Sequence, residues 1–81
     1  MAETTRHTSE TTRGELAAYL RAIAEEFEQD GEVMVNVGNK QVKLRPAPTV
    51  ECTVAVEERS PLLGGDTERL TIDVDWKEVD G

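Results

Sequence analysis

Apolar residues along this chain change their spacing once, from the period of a helix to the period of strands. Between Arg13 and Gln29 they fall at Leu16, Leu20, Ile23 and Phe27, with Ala17, Tyr19 and Ala24 alongside. That is the i, i+4, i+7, i+11 stripe of one amphipathic helix. Thr12 and Glu15 fit the S/T-x-x-E capping box at its start. Asp30-Gly31 supplies the stop, because glycine enters the left-handed region without steric cost.

Beyond Gly31 the period becomes two. Val33, Val35 and Val37 alternate with Glu32, Met34 and Asn36, and after Gly38-Asn39 the residues Val42 and Leu44 alternate with Gln41 and Lys43. Gly-Asn between two such runs signals a two-residue hairpin loop of the II′ or I′ kind. A loop at 38 and 39 pairs Val37 with Lys40, Val35 with Val42 and Val33 with Leu44, so apolar residues land opposite one another. Arg45 to Thr49 holds Pro46 and Pro48, which lack an amide hydrogen, and reads as a connection.

A third strand carries Val50, Cys52, Val54 and Val56 in one phase and ends at Glu58 to Pro61. A fourth carries Leu70, Ile72, Val74 and Trp76 in one phase against Thr71, Asp73, Asp75 and Lys77. Between them, Ser60 to Thr67 is a loop with its turn at Gly64-Gly65-Asp66. Leu62 and Leu63 in that loop either fold back over an end of the core or stand out as a contact patch. The first is expected, since exposed apolar patches are uncommon on soluble monomers. The pattern predicts an α+β domain: an N-terminal amphipathic helix packed on one face of a four-stranded antiparallel meander sheet. Short connections favour the meander because consecutive strands are usually neighbours.

Residues 1–11 are polar and lack large apolar groups, so they read as a disordered leader, with a single domain over residues 12–79. His7 lies in that leader, where no partners are held at the fixed geometry that a ligand or proton carrier needs. At 81 residues the chain has room for one core. No apolar run approaches the roughly 20 residues of a membrane span, and the N-terminus lacks the apolar stretch of an export signal. The helix's polar side, with Glu25, Glu26 and Glu28, is opposite in charge to that of a membrane-surface helix.

Charge changes the picture of partners. Seventeen acidic residues against nine basic ones give a net charge of −8, which repels phosphate backbones and anionic membranes. The aromatics Tyr19, Phe27 and Trp76 all fall in apolar phases, so no basic patch with interleaved aromatics exists for nucleic acid. Acidic side chains spread along the whole chain, with few lysines, read as a salt-adapted surface that is screened in molar salt. Cys52, the only cysteine, excludes an internal disulfide and shares its phase with three valines, so it reads as a small buried hydrophobe in a cytoplasmic protein.

The segments RGELAAYLRAIAEEFEQDGEV, VMVNVGNKQVKLRPAP, VECTVAVEE and LTIDVDW, taken in this order, resemble the amphi-Trp domain family, small proteins common in halophilic archaea. Alternation ending in one tryptophan, here Trp76, is the feature that names that family. The resemblance implies a domain defined by its pattern, with no established activity, cofactor or catalytic residues to carry over.

The function expected is a non-enzymatic binding, adaptor or homo-oligomerising module without cofactor, whose partner is a second copy of the chain or another protein. Its candidate interaction surface comprises Leu62, Leu63, Asp73, Asp75 and Trp76. The alternative is a small carboxylate-dependent enzyme or a weak cation-binding domain. Asp73 and Asp75 would serve it, being roughly 6.5–7 Å apart on one strand face. General-acid work, however, needs a carboxyl in an apolar or crowded pocket, and these two sit on an open sheet.

Overall fold

A computed structural model describes residues 2–78, so Met1 and Val79, the expected end of the domain, lie outside the described residues. The elements run α1 (Arg13–Glu28), β1 (Val33–Val37), β2 (Lys40–Leu44), β3 (Glu51–Arg59) and β4 (Thr67–Asp75). Two units divide the chain, Met1–Pro46 with Glu78–Gly81 and Ala47–Lys77.

In the first unit the Thr12 side chain caps α1, accepting a hydrogen bond from the Glu15 amide at 3.1 Å. The same hydroxyl donates to the Glu15 carboxylate at 3.0 Å, so one side chain bonds both the amide and the carboxylate of Glu15. The helix ends at Glu28, and Gln29 already has extended dihedrals. Gly31, with φ +94°, then turns the chain into β1, two residues past the cap position.

β1 and β2 pair antiparallel with Val33 opposite Leu44, Val35 opposite Val42 and Val37 opposite Lys40, the register that the two-residue loop predicts. Gly38 has φ +62° and Asn39 does not take positive φ, which is the type II′ form of the loop. His7 lies against this turn: a Cβ added at Gly38 would come 2.8 Å from its Nδ1. At the open end of the hairpin, Arg45 and Glu32 flank the last pair and approach to 3.5 Å.

α1 lies against β1. In a hairpin of this register Met34 and Asn36 occupy non-hydrogen-bonded pairs, so their backbone groups point away from β2 toward the free edge. The helix meets both groups. The Glu26 carboxylate accepts the Met34 amide at 2.8 Å, and the Tyr19 hydroxyl donates to the Asn36 carbonyl. Tyr19 and Glu26 are seven residues apart and so share one helix face, while Met34 and Asn36 are two apart on the strand. The helix therefore runs antiparallel to β1 and seals its edge. Val33 alone among the described residues is fully buried, with Val35, Val37, Val42 and Leu44 half-buried around it. The apolar stripe of the helix is less covered than its spacing predicts, since Leu16, Leu20 and Phe27 remain 37–46% exposed.

In the second unit β3 and β4 form a nine-residue antiparallel ladder, from Glu51 opposite Asp75 to Arg59 opposite Thr67. The strands pair as two two-stranded antiparallel sheets, β1 with β2 and β3 with β4, within the α+β class that the pattern predicts. Each hairpin completes its ladder locally, whereas Pro46 and Pro48 in the connection between β2 and β3 have no amide to extend one.

Two outcomes follow for the first unit. Glu26→Ala exposes the Met34 amide, which should exchange with solvent faster and lower stability by about 1–2 kcal/mol, whereas Glu26→Gln should recover part of the loss. Unchanged Met34 exchange in Glu26→Ala would rule out the edge seal. Gly38→Ala meets both positive φ and the His7 ring, so denaturant unfolding should show a loss of at least about 1 kcal/mol. A neutral result would show that neither the turn nor His7 constrains that position.

Candidate interaction surface

Alternation gives the β3–β4 hairpin two unlike faces. On one, Cys52 lies opposite Val74, Val54 opposite Ile72 and Val56 opposite Leu70, so apolar pairs stack along the whole centre of the ladder. On the other lie Glu51, Thr53, Ala55 and Glu57 against Asp75, Asp73, Thr71 and Arg69. Val50 and Trp76 extend the apolar phase just past the ends of their strands, and Glu58 opposite Glu68 bounds it at the far end.

This apolar face is open. Val50, Val54, Val56, Leu70, Ile72 and Val74 are 37–67% exposed. Cys52 is exposed with them, which corrects its reading as a buried hydrophobe: its phase is apolar as expected, but two strands cannot cover their own face. Trp76 is half-buried and lies beside Thr49, Val50, Glu51, Asp75 and Lys77, which line a shallow depression with it.

Leu62 and Leu63 stand fully in solvent, at 104% and 91% exposure, so they do not fold back as expected. They lie in the loop between β3 and β4, outside the ladder. Asp73 and Asp75 are exposed on the polar face, the side away from Cys52, Val54 and Ile72. The structure therefore brings Trp76 to the end of the apolar face and leaves Leu62 and Leu63 in a loop and the two aspartates on the reverse side. The six apolar residues of the ladder were not among the expected surface residues. Their alternation is the signal that could have identified them, once no cover is assumed.

The first unit holds a groove of ≈ 590 Å³ lined by the leader, α1 and the β1–β2 turn, with His7, Glu15, Tyr19 and Asn36 in its wall. Among the described residues no three His, Cys, Asp or Glu side chains are grouped so as to hold a metal ion. No helix among them is long and apolar enough to cross a membrane.

The fold and this face define a small α+β module of one helix and two hairpins, the second of which presents a strip of alternating apolar side chains. The chain belongs to the amphi-Trp domain family, whose model matches residues 1–81. No curated protein and no solved structure matches it.

Electrostatics at the two ends of the hairpin work against it. Glu51 faces Asp75 and Glu58 faces Glu68, and like charges directly opposite destabilise a strand pair. Glu68→Lys should therefore stabilise the hairpin by about 0.5–1 kcal/mol in dilute buffer. The gain should fade in molar salt, where screening acts within about 3 Å. Thermal melts of both chains across a salt series test this, and a gain independent of salt would contradict the repulsion.

Proposed function

We infer that the chain is a non-enzymatic interaction module of a salt-adapted cytoplasm and that the apolar face of β3 and β4 is its working surface. The observation that carries this reading is the continuous row of cross-strand apolar pairs, all substantially exposed. An isolated two-stranded hairpin is marginal in water, so a face of this kind gains most from being covered. The acidic surface supports the salt-adapted part of the reading, because a net charge of −8 on 81 residues repels itself in dilute buffer and is screened in concentrated salt.

Pairing of β2 with β3 through their outer edges would complete the four-stranded meander that the pattern predicts. Edge pairing widens a sheet without covering its face, so the need for a partner would remain. The reading of Asp73 and Asp75 as an enzymatic or cation-binding pair has less support. Both are exposed on an open strand face, without the enclosing pocket that general-acid work needs or the ligand cage that holds calcium.

Capture by the tagged chain from its host's lysate at high salt tests the reading. A bound protein, whether the chain itself or another, should be lost from Val54→Glu and retained by the Asp73→Asn/Asp75→Asn double variant. Loss in the aspartate variant alone would move the site to the opposite face. Absence of any bound protein would return the search to small ligands.

A further inference from the structure

We propose that the partner of this face is a second copy of the chain, two β3–β4 hairpins packing apolar side to apolar side across a two-fold axis. This rests on the reading of the face as an interaction surface and names its occupant. In the dimer Cys52, Val54, Val56, Leu70, Ile72 and Val74 of each copy form the facing layers of one core.

Size is the first argument. The exposures of Val50, Val54, Val56, Leu70, Ile72 and Val74 leave on the order of 500 Å² of apolar surface on each chain. Homodimer interfaces are roughly 65% apolar, so that area suits a patch of about 800 Å² a side, the standard size of a stable interface. A smaller patch would suit only a transient contact.

The shape of the face is the second. A two-fold interface uses the same patch twice and must be complementary to itself. This face is uniformly apolar along its centre, with no charge that would be buried against its own copy. Its carboxylates, Glu58 and Glu68, sit together at one end. Antiparallel placement of the two hairpins about the axis puts these acidic ends at opposite extremes of the interface, each toward the Val50 and Trp76 end of the other copy. Packing at the ~10 Å spacing of stacked sheets then covers both faces at once. Joining the hairpins edge to edge would instead leave a face twice as wide in water.

Charge sets the conditions. Each copy carries −8, so association works against repulsion that concentrated salt removes. Dimerisation therefore strengthens with salt, the reverse of binding to a basic partner.

Sedimentation equilibrium of the full chain in about 3 M and about 0.1 M KCl tests the proposal. The expected species at high salt has twice the 9.0 kDa mass of the chain, with weaker association at low salt. Val54→Glu and Ile72→Glu should each raise the dimer dissociation constant at least about tenfold, because each places two carboxylates in the interface. Ala55→Glu and Thr71→Glu, on the opposite face, should leave it within about threefold. Circular dichroism confirms that each variant keeps its strands. Cys52 supplies an independent reading: its thiol should react more slowly with a maleimide as chain concentration rises. A monomer at every concentration overturns the proposal, whether Cys52 is then reactive or is protected by the chain's own helix. So does a dimer equally sensitive to both sets of variants. A monomer that still captures a different protein through Val54 overturns self-association alone and leaves the interaction module standing, whereas neither dimer nor capture overturns both.

Discussion

A two-stranded hairpin cannot bury its own face, and that constraint governs what the second unit of this protein can do. Strict alternation from Cys52 to Val56 and from Leu70 to Val74 sends every large apolar side chain of the ladder to one side. With only two strands there is no third layer to receive them, and Val54, Val56, Leu70, Ile72 and Val74 are 40–67% exposed as a result. The free energy of hiding that surface, at roughly 25 cal/mol per Å², is therefore held in reserve for whatever packs against it.

The first unit solves a different problem, that of an open sheet edge. A strand whose outward amides and carbonyls are unpaired is a template for further pairing. Here Tyr19 and Glu26 meet the Asn36 carbonyl and the Met34 amide, so the outer edge of β1 is occupied by side chains of the helix. These bonds also fix the direction of the helix along the strand. The seal uses Tyr19 and Glu26, which share one helix face, while Leu16, Leu20 and Phe27 remain only partly covered.

What the sequence discloses and what it hides divide along the range of the interactions. The cap at Thr12, the turn at Gly38 and the register of β1 on β2 depend on residues a few positions apart, and each is legible in local pattern. Amphi-Trp membership is legible for the same reason, since alternation closed by Trp76 is a local feature. Sheet order is not, because Pro46 and Pro48 interrupt any ladder whichever way the hairpins are joined. The exposure of Leu62 and Leu63 is invisible as well, since an apolar dipeptide in a loop reads the same whether it is covered or not. Glu26 looks like a solvated residue on an acidic helix face, and its role appears only once the free amide of Met34 is placed beside it. Of the expected interaction residues, Trp76 lies at the end of the apolar phase of the last strand, whereas Asp73 and Asp75 lie on its polar side.

The acidic charge and the apolar face belong to one physical account. In dilute buffer Glu51 against Asp75 and Glu58 against Glu68 push the hairpin apart, and the charge of −8 keeps copies apart. Concentrated salt screens both repulsions and, through ions excluded from apolar surface, strengthens burial. The same change of solvent thus favours the closed ladder and the covering of its face together. On the dimer proposed above, charge would hold the exposed apolar strip in solution, and the strip would cohere where that charge is screened.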